Sequence, residues 1–155
     1  MRKRFKIFIG SDHAGFNLKN SLNQFLIKGK YKVEDLGPYK YDREDDYPDY
    51  ALKVCKKVLK ANSKGILICG SGQGMAISAN KVPGILATIC WDEKSGKIAA
   101  AHGRANVLCL GENLIKPRNA EKIVKMWLEA PYTIEKRHIR RLNKIKKIEK
   151  KYLKY

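Results

Sequence analysis

The stretch Gly65-Ile-Leu-Ile-Cys69, followed at once by Gly70-Ser-Gly-Gln-Gly74, decides the fold. Three aliphatic residues in a row without a polar interruption make a strand that is buried on both faces, as in a parallel sheet covered by helices. Three glycines in the next five residues give a tight turn, and a short helix is predicted over residues 74–80. The same alternation continues in both directions. Strands are expected at residues 5–9, 31–36, 85–90 and 106–110, and helices at 17–27, 48–59, 93–102 and 119–128. The helical segments carry apolar residues at helical spacing, such as Leu18, Leu22, Phe25 and Leu26.

Five β-α units predict an α/β fold: a Rossmann-like three-layer sandwich around a five-stranded parallel sheet, with right-handed crossovers. Residues 1–132 make up this domain. In residues 133–155, Ile134, Leu142, Ile145, Ile148 and Tyr152 recur at helical spacing between lysine-rich faces. This segment is expected to form a basic amphipathic helix that packs on the domain or on a partner subunit.

The chain has 155 residues, and its 33 Lys plus Arg against 15 Asp plus Glu give a net charge of +18. One domain of this size buries enough surface to need no staple, and 44% hydrophobic residues argue against global disorder. No run of 18 apolar residues occurs, and the opening Met1-Arg-Lys-Arg-Phe-Lys leads into too few apolar residues for a signal segment. A soluble, cytoplasmic protein with no membrane association is therefore expected. Cys55, Cys69, Cys90 and Cys109 stand singly, so neither a disulfide framework nor a zinc site is supported, and no metal is expected. Half of the excess charge lies in residues 136–155, where ten basic residues face one acid, Glu149. Charge alone admits nucleic acid, an anionic membrane or a phosphorylated small molecule. The tail has no interleaved stacking aromatics beyond Tyr152 and Tyr155, so nucleic acid is not the expected partner.

Ligands of open parallel sheets bind beyond the carboxyl ends of the strands. The Gly70–Gly74 loop suits an anion there, whether a phosphate or a developing oxyanion, although a tight turn alone would also use its glycines. The spacing is not that of a dinucleotide fingerprint, and no Walker lysine follows. Cys69 precedes this helix N-terminus, a setting that favours a thiolate able to act as base or nucleophile; a small buried hydrophobe is the plainer alternative. Asp12 and His13 follow the first strand outside any apolar face. His102 ends a helix, where it serves as a cap or a catalyst, and its edge of the sheet is not set by element order alone. Arg137 and Arg141, with His138 and Arg140 beside them, are four apart on one helical face, a spacing able to grip a phosphate. The acidic run Asp42-Arg-Glu-Asp-Asp46 reads as a solvated turn before Pro48.

Taken together, several motifs closely resemble the type B ribose-5-phosphate isomerase family, which includes galactose- and allose-6-phosphate isomerases. They are Gly10-Ser-Asp-His-Ala-Gly15, Asp46-Tyr-Pro-Asp-Tyr-Ala51, the run from Cys69 to Lys81, His102 with Ala105-Asn-Val-Leu108, and Arg137-His138. The resemblance implies a metal- and cofactor-free aldose–ketose isomerase acting on a phosphorylated sugar. It also implies a homodimer or dimer of dimers with active sites between subunits. By position, Cys69 would move a proton between C1 and C2, and the backbone of Gly70, Ser71, Gly72 and Gly74 would hold the cis-enediolate. His102 would open the furanose ring and Asp12 would handle hydroxyl protons. His13, Arg137 and Arg141 would contact substrate and phosphate, with Tyr47 and Ser71 lining the site. This chain carries Gly103-Arg104 where the family has Asn-Asp, and Asn113 where it has an arginine. Ribose 5-phosphate is the expected substrate. The alternatives are a six-carbon sugar phosphate, or a non-catalytic role in binding a polyanion or partner.

Overall fold

The computed structural model describes residues 5–60 and 63–153; the opening Met1–Arg4, Ala61, Asn62 and the last two residues of the tail lie outside the described residues. Five strands, β1 (Lys6–Ser11), β2 (Val33–Asp35), β3 (Ser63–Cys69), β4 (Ala87–Ile89) and β5 (Val107–Gly111), form one parallel sheet in the order β2-β1-β3-β5-β4. The helices are α1 (Phe16–Lys28), α2 (Tyr47–Leu59), α3 (Gln73–Ala79), α4 (Glu93–Ala101), α5 (Pro117–Glu129) and α6 (Lys136–Tyr152). Every expected element is present.

The two faces of the sheet explain the aliphatic runs. Alternate residues point to opposite sides of a strand. Ile7, Ile9, Ile66, Ile68, Leu108 and Leu110 therefore pack against α1, α4 and α5, through Leu22, Ala100, Ile123 and Trp127. Phe8, Leu67, Cys69, Val107 and Cys109 face the other way, onto Val54 and Cys55 of α2 and Met75 of α3. Trp127 is fully buried, and the ammonium of the buried Lys64 lies 4.3 Å from its ring centroid.

In a β-α unit the helix runs back antiparallel to its strand, so each helix C-terminus returns to the amino edge of the sheet. His102 is the C-cap of α4, and Asn106 just beyond it accepts from the N–H of Gly65 near the start of β3. α6 lies across this same edge. Its approach is tied by Thr133, whose N–H donates to Ala101 O at 2.9 Å, and its far end by Glu149, whose Oε2 accepts from Gly84 N at 2.9 Å. The helix begins at residue 136 rather than 133, because residues 131–135 form this irregular bridge. Within the chain only His138 of α6 is buried; Ile134, Ile145, Ile148 and Tyr152 are exposed.

Replacing Trp127 with Ala removes the largest buried side chain and the surface under Lys64. Urea unfolding is expected to show a loss of about 3–5 kcal/mol, with the sheet otherwise retained.

Candidate active site

Strand ends and the glycine loop create the first cluster. β1 and β3 pair Ser11 with Ile68, so Asp12 emerges level with Cys69 on the neighbouring strand, about 5 Å away across the sheet. Asp12 is 5% exposed, and its Oδ1 accepts from Gly15 N at 3.1 Å, which closes a 3-10 turn over His13–Gly15. Burial pushes the Asp12 carboxyl above its ordinary value of 3.8, against the pull of the Gly15 N–H and of His13.

The loop after β3 wraps back over the end of its own strand. The Gly72 N–H donates to Cys69 Sγ at 3.1 Å. Such a reversal requires Gly72 to adopt φ +79, and a Cβ there would lie 3.1 Å from the Leu110 carbonyl carbon. The loop is held to β5 by Asn113, whose N–H donates to Gly70 O, and by Glu112, whose N–H donates to Cys69 O. Glu112 Oε2 also accepts from Leu18 N in the first turn of α1, a favourable place for a carboxylate. Gln73 N–H donates to Ser71 Oγ at 3.3 Å. Tyr47, the first residue of α2, lays its ring where a Cβ on Gly74 would be, at 2.6–2.9 Å, so glycine is needed for that contact. Asp12, His13, Tyr47, Cys69, Gly70, Ser71, Gly72 and Gly74 are thus brought together at the carboxyl edge.

Two aspartates missed at the sequence level shape His13. Asp45 folds under it: Oδ1 accepts from His13 N–H at 2.9 Å and lies 2.7 Å from His13 Nδ1. The acidic run is therefore not merely a solvated turn, for the Asp45 side chain is only 7% exposed. Asp42 supports it, with Oδ1 accepting from Glu44 N and its carbonyl from Asp45 N. Nothing local in the sequence distinguishes Asp45 from its neighbours; its partner is 32 residues away. Asp12, His13 and Asp45 offer atoms within 4.8 Å of one another, of types that also ligate metals. His13 Nδ1 and Asp45 Oδ1 engage each other, and Asp12 Oδ1 accepts from the Gly15 N–H.

A second cluster forms at the amino edge. His102 and His138 stack with ring centroids 4.1 Å apart and an interplanar angle of 18°. His138 is 8% exposed; burial, then His102 and Arg137, push its imidazole below the ordinary 6.5. Arg137 Nε lies 2.7 Å from Glu135 Oε2, and Arg137 and Arg141 both remain exposed. Arg104, at φ +47, lies over the Tyr132 ring at 5.4 Å. His102, Arg137 and Arg141 thus cluster with one another but not with Cys69. The Gly65–Val107 pair marks the amino end of the β3–β5 ladder and the Cys69–Gly111 pair its carboxyl end, about 13 Å of strand apart.

Residues 7–145 match the Ribose/Galactose Isomerase family. The chain belongs to that family. It is 45% identical to a probable ribose-5-phosphate isomerase B of Mycoplasma genitalium over 148 residues, which cover 94% of this chain and 97% of the relative. Among solved structures, ribose-5-phosphate isomerase B of Clostridium thermocellum superposes with a TM-score of 0.91 at 44% identity, covering 96% of this chain and 99% of that one. The Mycoplasma genitalium enzyme with bound ribulose-5-phosphate superposes with a TM-score of 0.90 at 44% identity, covering 95% and 97%. Among the described residues, no helix is long and apolar enough to cross a membrane.

The Gly72→Ala variant is expected to lose about 1–2 kcal/mol from the left-handed backbone alone, read as a lower denaturation midpoint. A thiol-reactive probe should also detect the displaced loop as a changed rate at Cys69.

Proposed function

We propose that this chain is an aldose–ketose isomerase that interconverts ribose 5-phosphate and ribulose 5-phosphate through a cis-enediolate. The observation that carries this reading is Cys69 Sγ at the end of β3, held against the Gly72 N–H with the buried Asp12 beside it. In the open-chain sugar, the Cys69 thiolate takes the proton from C2. The released electron pair forms the C1–C2 double bond, and the carbonyl electrons move onto O1. Backbone N–H groups of the Gly70–Gly74 loop face the developing negative charge, where fixed donors are most effective. Asp12 carries a proton between O2 and O1. Its raised affinity for protons, caused by burial, suits that exchange. The Cys69 thiol then returns its proton to C1, giving the ketose. Tyr47 and Ser71 line the sugar site. Base, acid and oxyanion donors all come from the chain, so the step calls on no cofactor. The family relationship and the ribulose-5-phosphate bound to the Mycoplasma genitalium relative support this substrate.

His102, which opens the furanose ring in this reading, and the phosphate ligands Arg137 and Arg141 come from a second copy of the chain. Two arguments support a homodimer of this kind. The sheet separates His102 from Cys69 within one chain, and the apolar stripe of α6 has little of its own domain to cover it. The basic amino-edge cluster also complements the carboxyl edge, which carries Asp12, Asp42 and Asp45. A two-fold axis then builds two equivalent sites, each from both chains. Four buried, free cysteines fit the reducing cytoplasm.

The Cys69→Ala variant is expected to lose essentially all turnover of ribose 5-phosphate while remaining folded. Equal turnover by both proteins on ribose 5-phosphate, allose 6-phosphate and galactose 6-phosphate would refute the enzyme reading. Co-expression of Cys69→Ala with His102→Ala, each inactive alone, should restore about a quarter of wild-type activity. Random pairing makes half the dimers mixed, and each mixed dimer holds one intact site. No recovery would mean that both residues act within one chain.

A further inference from the structure

We propose that Asp45 is a positioning residue for substrate binding: by engaging His13 Nδ1 it holds the ring as an imidazolium, whose Nε2–H is the donor that meets the phosphate of the sugar. The inference rests on the isomerase reading above. Its starting point is that Asp45 makes two contacts to one residue, accepting from the His13 backbone N–H at 2.9 Å and lying 2.7 Å from the ring Nδ1. A carboxylate accepts only, so Nδ1 carries a proton, and Nε2 donates as well once the ring is the imidazolium.

Burial strengthens the pairing. Asp45 Oδ2 is buried and has no hydrogen-bond partner among the described residues, so the carboxylate is poorly solvated and gains most from a full positive charge beside it. The charged groups around His13 are Asp45 and Asp12, which favour the imidazolium, and Arg43, which opposes it; the balance lifts His13 above the ordinary 6.5.

The loop that carries Asp45 is itself anchored. The buried Lys19 pairs with Asp35 at 2.6 Å, and Asp35 Oδ1 accepts from Gly37 N at the start of the loop. Further along, Tyr41 packs edge-on against both Phe16 and His13, with centroids 6.0 and 6.1 Å apart. Asp45 therefore reaches His13 from a braced segment.

Chemistry assigns the ligand. At the carboxyl edge Asp12 and Asp45 would repel a phosphate dianion, and Asn113 beside Gly70 is neutral. An imidazolium offers both the charge and a directed N–H, and charge-assisted bonds of this kind are the stronger class.

The test is Asp45→Asn, which keeps the shape and removes the charge. KM for ribose 5-phosphate is measured for both proteins from pH 5.5 to 8.5, and His13 is titrated by nitrogen-15 NMR in each. A residue whose proton affinity is raised by its partner keeps its charge as pH rises past 6.5, whereas the variant loses it there. The variant-to-wild-type ratio of KM should thus approach one at the acid end and reach about tenfold above neutrality, with kcat changed far less. The ratio cancels the second ionisation of the phosphate itself, near pH 6. A ratio that is raised equally at every pH would mean that Asp45 only braces the loop. A wild-type His13 that titrates at or below 6.5 overturns the proposal without reference to any variant. If no sugar phosphate is turned over, the isomerase reading fails. The His13 titration, and its shift on adding inorganic phosphate, then decide the pairing and the phosphate contact separately.

Discussion

All five strands point the same way, and this constraint governs where chemistry can be placed on the chain. Strand ends and helix beginnings gather at one edge of the sheet, and helix ends and strand beginnings at the other. Cys69, Asp12 and the glycine loop belong to the first edge; His102, as the C-cap of α4, belongs to the second. No rotamer change can close about 13 Å of hydrogen-bonded strand. A single chain therefore does not bring the two groups together.

The charge of +18 divides along the same line. Half of it lies in residues 136–155, and α6 carries most of that across the amino edge. In the proposed reaction only Arg137 and Arg141 of this helix meet the substrate. The exposed lysines around them are solvated, and such surface charges contribute little to stability individually. The carboxyl edge has the opposite character, with the buried Asp12 and the largely covered side chain of Asp45 beside a histidine. The two edges are thus opposite in the sign of their exposed and partly covered charge.

The β-α order was legible because a sheet covered on both faces demands long aliphatic strands. The residues from Gly65 to Cys69 could hardly be anything else between glycine and charged neighbours. The carboxyl-edge site was legible for a related reason: in such a sheet, the residues following each strand are the ones that meet. Asp12, Cys69 and the glycine loop could be named from their places in the chain. Helical periodicity places the start of α6 three residues too early, because the Thr133 N–H is committed to Ala101, a contact that spacing does not reveal. From its neighbours alone Asp45 looks like a solvated acid, because its environment is created by His13, 32 residues earlier.

Sequence by itself determined the parallel sheet, the family, the cysteine with its glycine loop and the spacing of the two arginines, since each depends on local spacing, residue type or short-range backbone freedom. Tertiary structure decided which of these groups can act on one molecule. It separated His102 from Cys69, stacked His138 beneath His102 and folded Asp45 under His13. Those outcomes depend on helix direction and on contacts between distant segments, which no local pattern encodes.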